Sequence, residues 1–381
     1  MISNFFNHHQ KPLADELYNF TGHNYNFIET EAIPEERLNL GWGGGDIPQY
    51  VLKSYTDNEA YDKCQKIIDD ADVVIIGNAP HSMVKKRLSE NKLTFFYSER
   101  LYKSGYQIYK WPVRLIRHYN KFIRYKSFYM LCASAYGAAD FAKTFSFLNK
   151  TYKWGYFTEL NQYDDVDQLI ANKKHNSILW AGRFLELKHP EAAVYVAQKL
   201  KSQGYDFVLN IIGNGALYDD IQQQIKENQL EAYVNLLGVM KPEQVREHME
   251  QSEIFLFTSD KNEGWGAVLN ESMNSGCAVV ASHTIGSVPF LLEDQKNGYI
   301  YKDGDFEDIF NKVKYLLDHP KQRVKMGKKA YLTMVNEWNA QNAAKKFIKL
   351  SKELLNKNKT AYPFKKGVCS KADILKNNWL K

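Results

Sequence analysis

Short runs of consecutive apolar residues recur along the chain. Most are followed by segments in which apolar positions return every three or four residues. The runs at 71–78 (ADVVIIGN), 92–98 (KLTFFYS), 127–134 (SFYMLCAS), 177–182 (SILWAG), 207–213 (FVLNIIG), 233–238 (YVNLLG), 253–259 (EIFLFTS) and 277–282 (CAVVAS) do not alternate with polar residues. Strands of that kind are buried on both faces, as in parallel sheets. Among and after them the spacing predicts helices over 82–90, 190–204, 242–252, 306–318, 320–335 and 339–357. Pro190 and Pro242 stand in the first turn of two of these, where the missing N–H costs nothing. Alternation of strand and helix predicts an α/β fold with doubly wound sheets. The polar, weakly periodic segment 158–176 interrupts the rhythm. It is expected to link an N-terminal domain, 1–157, to a second domain, 177–338, with 339–381 forming a helix and tail that pack back on the first. At 381 residues the chain suits two domains of roughly 150–200 residues each. Doubly wound domains bind ligands at the carboxyl ends of their strands, so two of them in tandem predict a ligand site in a central cleft.

The stretch 262–282, NEGWGAVLNESMNSGCAVVAS, holds two glutamates, Glu263 and Glu271. The strand pattern before it places Glu263 in a strand-to-helix loop. Gly264 and Gly266, with Trp265 between them, let the backbone approach a ligand closely. A helix from Ala267 to Asn274 would aim its positive end at a phosphate, and Glu271 would sit one turn in. The rise from Gly266 to Glu271 is roughly 7–8 Å. A ligand across this helix start would meet a carboxylate at each end with its phosphates between. A nucleotide diphospho-sugar has that shape, and carboxylates accept well from paired hydroxyls. Two glutamates at this spacing are usually a loop charge and a helix-surface residue; the flanking glycines and strands reverse that here. In LWAGRFLELKHPEAA (179–193), Arg183 and Lys188 follow the first strand of the second domain, where two cations can neutralise a diphosphate leaving group. The turn IIGNGAL adds Gly213 and Gly215, a weak signal alone because tight turns use glycine anyway.

Charge and cysteines change the picture little. A net charge of +6 suits phosphate-bearing ligands or an anionic membrane surface, and is too small to imply nucleic acid. The four cysteines, Cys64, Cys132, Cys277 and Cys369, are far apart, which argues against a disulfide framework or zinc site and for a reducing compartment. No signal peptide and no apolar run of 18 residues are seen, so a cytoplasmic protein is expected. In the first half, His81 stands at the end of a predicted strand, and His8 and His9 follow the short first one. The loop GWGGGD (41–46) is expected to border the same region. The segment 110–126 predicts a helix with Arg114, Arg117, Lys121 and Arg124 on one face. Leu115, Ile116, Tyr119, Phe122 and Ile123 would lie opposite and pack on the sheet, leaving the basic face for anionic lipid. The pairs Asp165/Asp167 and Asp303/Asp305 match an Asp-x-Asp metal pattern but fall in a linker and a turn, so no metal site is expected.

The segments GRFLELKHP, LNIIGNGALYDD, VNLLGVMKPEQV and TSDKNEGWGAVLNESMNSGCAVVAS resemble, in this order, family-4 glycosyltransferases of GT-B fold. The resemblance is strong over 177–302 and faint over 1–157. It implies a retaining transferase without metal or other cofactor, which moves a sugar from a nucleotide sugar to a saccharide or polyprenyl-linked hydroxyl acceptor. It implies further that Arg183 and Lys188 bind the donor diphosphate, Glu263 the sugar and Glu271 the ribose. The backbone at Gly264, Trp265, Gly266 and Ala267 would touch sugar and phosphate, His81 would stand where many relatives have a histidine that contacts the donor sugar, and His8 and His9 would stand where acceptor loops usually lie. The context implied is cell-surface polysaccharide or glycolipid assembly, peripheral to the inner face of the membrane. One departure is GSVPF (286–290), where relatives often read Gly-Gly-x-x-Glu and this chain has Phe290. A sugar-nucleotide epimerase of the same fold would need its own acid and base, and the first half offers no convincing pair. A non-catalytic partner subunit is disfavoured by the intact Arg183, Lys188, Glu263 and Glu271.

Overall fold

Every ladder between the named strands is parallel, in two sheets. The computed structural model describes residues 1–35, 46–103, 105–356 and 362–380; the glycine-rich stretch 41–45 lies outside them. Contacts divide the chain into two units, Met1–Glu159 with Trp338–Asn377, and Leu160–Glu337 with Asn378–Lys381.

The first sheet comprises β1 (Ile2–Ser3), β2 (Phe27–Glu29), β3 (Val51–Lys53), β4 (Val74–Ile76), β5 (Thr94–Ser98), β6 (Phe128–Cys132) and β7 (Thr151–Lys153), in the order β3-β2-β1-β4-β5-β6-β7. The order reverses at β1/β4, which makes that edge a switch point. The helix Ala340–Leu355 belongs to this unit: Phe347 sets its ring edge-on to Phe95 at 5.0 Å and to Trp154 at 5.6 Å. The chain then runs antiparallel beside β7, where Lys153 N–H donates to the Ser370 carbonyl (2.8 Å) and Ala372 N–H to that of Thr151 (3.1 Å).

The second sheet comprises β8 (Ser177–Ala181), β9 (Val208–Ile212), β10 (Val234–Gly238), β11 (Ile254–Phe257), β12 (Ala278–Ser282) and β13 (Tyr299–Tyr301), in the order β10-β9-β8-β11-β12-β13. Its switch point is β8/β11, with Ile254 opposite Ile178 and Leu256 opposite Trp180. Every residue of β11 and β12 is buried, as unbroken apolar runs require. The segment 158–176 holds a helix, Val166–Ala171, whose Ile170 is buried. Asp165 caps it, accepting from the N–H groups of Asp167 and Gln168. Asp305 caps Phe306–Asp318 in the same way through Asp308 N–H. Both members of the decoy aspartate pairs that end a loop are thus N-caps.

The predicted helix over 110–126 needs correction. It is an α-helix, Trp111–His118, followed by one π-turn, Tyr119–Ile123. Its inner stripe is Arg114, His118 and Phe122; of the five apolar residues expected there, Phe122 is buried and Leu115 and Ile123 are half-buried, but Ile116 and Tyr119 are exposed. Arg114 lays its guanidinium over the rings of Tyr102 (4.9 Å) and Tyr106 (5.2 Å), a favourable cation–π contact. His118 is 8% exposed and hydrogen-bonds Thr144 (2.7 Å) and Ser146 (3.1 Å). Ile116 and Tyr119 therefore point to solvent, and Arg114 does not join Arg117, Lys121 and Arg124 on the exposed face. The helix expected over 82–90 is a 3-10 turn, His81–Val84, leading into Lys85–Ser89.

Candidate active site

The loops that leave β8 and β11 lie at the switch point of the second sheet, and they carry the candidate charges. After β8, Gly182 N–H donates to the Ile212 carbonyl (3.0 Å) and Phe184 N–H to that of Asn214 (2.9 Å). The glycine turn after β9 packs against this loop. A Cβ on Gly213 would stand 1.9 Å from the Gly182 oxygen, and one on Gly215 2.6 Å from the Phe184 oxygen. Gly213 and Gly215 are thus placed to hold the Arg183 loop close. Arg183 itself is exposed, and none of the described residues pairs with it.

Lys188 closes a 3-10 turn, Glu186–Lys188, and His189 after it takes a left-handed φ of +48° at the start of Pro190–Ser202. Two hydrogen bonds tie this turn to the loop after β11, and a third ties that loop to Trp180 of β8. Thr258 Oγ1 donates to the Lys188 carbonyl (2.6 Å), Trp180 Nε1 donates to Thr258 Oγ1 (2.7 Å), and Asp260 N–H donates to the Leu187 carbonyl (2.9 Å). The Lys188 ammonium then donates to the Glu263 carboxylate, with the two side chains only 17% and 14% exposed. His189 adds a second bridge: its Nδ1 bonds Glu191 (2.7 Å) and its Nε2 lies 3.9 Å from an Asp260 oxygen. The Glu191 bond, with the charges of Glu191 and Asp260, raises the His189 pKa above its ordinary value.

Gly266 has φ +80°, and a Cβ there would fall 2.2 Å from Cζ of Phe257. Only glycine fits this approach of the loop to the end of β11. Trp265 is 1% exposed and donates from Nε1 to Asn270 Oδ1 (2.9 Å), so its side chain packs inside the fold. The helix runs Val268–Asn274, with Ala267 as its N-cap. Glu271 is half-buried; burial raises its pKa, and the Arg246 guanidinium partly offsets the rise. Arg246 donates to the Glu271 carbonyl (2.6 Å) and to Asn274 Oδ1 (2.8 Å), clamping the far end of this helix. Phe290 is half-buried, its ring 6.4 Å from that of Trp265.

In the first unit, the switch point β1/β4 opens into a cavity of about 690 Å³ lined by residues from the ends of β1, β4 and β5, among them Asn4, His9, His81, Tyr97 and Glu99. Lys121 and Phe122, from the π-turn, complete one wall. Burial, then the Lys121 charge, pull the His81 pKa down to about 4, and its buried Nε2 has no hydrogen-bond partner among the described residues. His9 is held to about 3 by burial and by His8, whose ring lies 3.9 Å away. Both rings are therefore neutral near pH 7. His8 is exposed and does not line the cavity. Gln10 Oε1 is a second buried atom on this wall without a partner among the described residues.

The structure thus brings Lys188 and Glu263 into contact, and places Arg183, Gly264 and Glu271 on the same two loops and helix. Sequence reasoning missed Thr258, Arg246, His189 and Gln10. A histidine before Pro190 was a usable signal for a helix start; nothing in the sequence marked the others.

Residues 162–333 match the model of the family described as Glycosyl transferases group 1. That span takes in the Lys188–Glu263 pair and nearly all of the second unit, so this part of the chain is similar to the group 1 glycosyltransferases. Among curated proteins, the chain is 32% identical over 137 residues to the amylovoran biosynthesis glycosyltransferase AmsK of Erwinia amylovora, a match covering 35% of this chain and 33% of that protein. It is 26% identical over 204 residues to a poly(ribitol-phosphate) alpha-N-acetylglucosaminyltransferase of Staphylococcus aureus, covering 50% and 41%. A third relative is the N-acetylgalactosamine-N,N'-diacetylbacillosaminyl-diphospho-undecaprenol 4-alpha-N-acetylgalactosaminyltransferase of Campylobacter jejuni, 31% identical over 150 residues, covering 39% and 40%. The chain therefore spans a third to two-fifths of the length of these relatives. Among solved structures, HepE of Anabaena in complex with UDP superposes with a TM-score of 0.66 at 13% identity, covering 91% of this chain and 97% of that one. TarM of S. aureus gives 0.59 at 18%, covering 76% and 57%. At such identities the likeness establishes the fold, an α/β architecture of GT-B type with two parallel sheets.

Proposed function

We propose that the chain is a retaining, metal-independent glycosyltransferase that takes a sugar from a nucleotide diphospho-sugar and places it on a hydroxyl acceptor. The observation that carries this reading is the Lys188–Glu263 pair at the switch point of the second sheet. The donor diphosphate lies against Arg183 and Lys188, the sugar hydroxyls donate to Glu263, and the ribose hydroxyls donate to Glu271. The backbone of Gly264, Trp265, Gly266 and Ala267 borders sugar and phosphate. As the bond from the anomeric carbon to the diphosphate oxygen breaks, the acceptor oxygen bonds that carbon on the same face. Its proton passes to a phosphate oxygen of the leaving group, and the two cations absorb the charge that develops there. No cofactor beyond the donor is required. The acceptor role falls to the first unit, whose cavity offers neutral His9, Gln10 and Lys121. A saccharide or polyprenyl-linked acceptor is supported by relatives named for amylovoran biosynthesis and for a diphospho-undecaprenol substrate. With it go surface polysaccharide or glycolipid assembly and a cytoplasmic enzyme peripheral to an anionic membrane.

The test is incubation with a panel of nucleotide sugars and candidate acceptors, reading free nucleoside diphosphate and donor identity. Release of nucleoside diphosphate that depends on acceptor is expected. An altered nucleotide sugar without release would make the protein an epimerase, and neither change would make it a non-catalytic subunit.

A further inference from the structure

Residues 102–132 contain seven Lys or Arg and no Asp or Glu. Within them a ridge of apolar side chains stands in solvent: Ile108 is 78% exposed, Tyr109 72%, Val113 71%, Ile116 65% and Tyr119 55%. Tyr109, Val113 and Ile116 follow the three-to-four-residue spacing of one helical stripe. This stripe cannot turn inward, because the opposite side of the helix is already committed. Arg114 is stacked on Tyr102 and Tyr106, His118 is bonded to Thr144, and Phe122 is buried. Trp111 fixes the helix further by donating from Nε1 to the Lys143 carbonyl (2.9 Å). Next to it stands Phe145, 56% exposed, its ring 6.5 Å from that of Trp111. Around the ridge Lys110, Arg117, Lys121 and Arg124 are all exposed.

A rigid apolar crest with aromatic members and a collar of cations has the composition of an interfacial helix. Its apolar side chains enter the boundary between headgroups and acyl chains, tyrosines sit at headgroup level, and cations meet lipid phosphates. An acidic protein or nucleic acid would use the collar and leave the crest in water. We propose that the element 108–119 docks on an anionic lipid bilayer by inserting Ile108, Tyr109, Val113 and Ile116, with Arg117 and Arg124 on the headgroups. The π-turn that ends this helix carries Lys121 and Phe122 into the wall of the β1/β4 cavity. The docked face therefore leads into the cavity, and the acceptor is a lipid-anchored molecule met at the bilayer surface. The inference deepens the proposed function by naming where the acceptor is met, and rests on it in that respect alone.

The experiment is flotation of the full chain with phosphatidylglycerol-containing vesicles and with neutral phosphatidylcholine vesicles, without donor. Wild type is expected to float with anionic vesicles and to keep much of its binding in 0.5 M NaCl, since screening removes only the ionic part. Val113→Ser with Ile116→Ser should weaken binding at least tenfold at every salt, with an unchanged circular dichroism spectrum and unchanged release of nucleoside diphosphate from the donor when a soluble acceptor is supplied. Arg117→Gln with Arg124→Gln should weaken anionic binding by roughly fivefold per cation and abolish the preference over neutral vesicles. Vesicle binding by the serine variant equal to wild type, or no binding by wild type, overturns the proposal. Vesicle binding as expected in a protein that transfers no sugar would overturn the proposed function and leave the docking surface standing. Normal transfer without vesicle binding would do the reverse.

Discussion

The ammonium of Lys188 donates to the carboxylate of Glu263 across 75 positions of sequence, and the bond joins the loops that leave β8 and β11. Before a donor arrives, the pair cancels its own charge in a largely buried spot. On the proposed reading, a diphosphate draws Lys188 away from Glu263, which then turns to sugar hydroxyls. Glu263→Gln should therefore bind a nucleoside diphosphate several-fold more tightly while its turnover falls by about two orders of magnitude or more. Lys188→Ala and Arg183→Ala should lose both. Calorimetric titration with UDP beside a turnover assay checks this; near wild-type turnover by folded Glu263→Gln would remove Glu263 from the site.

Two glycines with similar φ separate backbone strain from steric conflict. Gly204 has φ +75° and open space where a Cβ would stand, whereas Gly266 has φ +80° and the Phe257 ring 2.2 Å from that position. Gly204→Ala should cost about 1–2 kcal/mol, the penalty of the left-handed conformation alone. Gly266→Ala should cost more and lower donor binding as well, because the loop must shift. Urea denaturation of both variants is the measurement, and equal midpoints would mean that the Phe257 contact relaxes freely.

Acid should destabilise the fold through His81 and His118. Both are held to about 4, in each case chiefly by burial and then by nearby cations. The unfolded chain takes up these protons near pH 6.5, whereas the folded chain resists until about pH 4. Stability from the neutral rings is thus complete above pH 6.5 and is lost as pH falls toward 4. His118→Gln should take up about one proton fewer on unfolding at pH 5, seen as a shallower fall of the denaturation midpoint between pH 6.5 and 4. An unchanged slope would mean that His118 is already charged in the fold.

Transfer should survive EDTA. Asp165 and Asp305 cap helices, and Arg183 and Lys188 stand where the diphosphate charge is expected. Complete loss restored by manganese would show that a metal carries that charge.

The strands legible in the sequence are those with dense apolar runs, unbroken in β11 and β12 and interrupted by one asparagine in β9 and β10, because burial on both faces writes itself into composition. β2 and β3, of three residues each, leave too little pattern to see. Each candidate charge of the donor site could be named from its loop, yet the Lys188–Glu263 bond could not, because no local pattern encodes a contact at that separation. The faces of the helix at 111–118 differ from the sequence expectation for two physical reasons. Stacking of Arg114 on two tyrosines makes a cation an inward residue, and the π-turn shifts the register of everything after His118.

The first unit is assembled from two stretches of chain that are separated by nearly all of the second. Phe95 and Trp154 receive Phe347 from a helix synthesised only after residues 160–337. On the ribosome the second unit, all but four of whose residues form one stretch, Leu160–Glu337, is nearly complete while the earlier one still lacks its covering helix. The aromatic face of β5 and the edge of β7 must wait through that interval, open to chaperones and to other nascent chains, until residues 340–372 emerge.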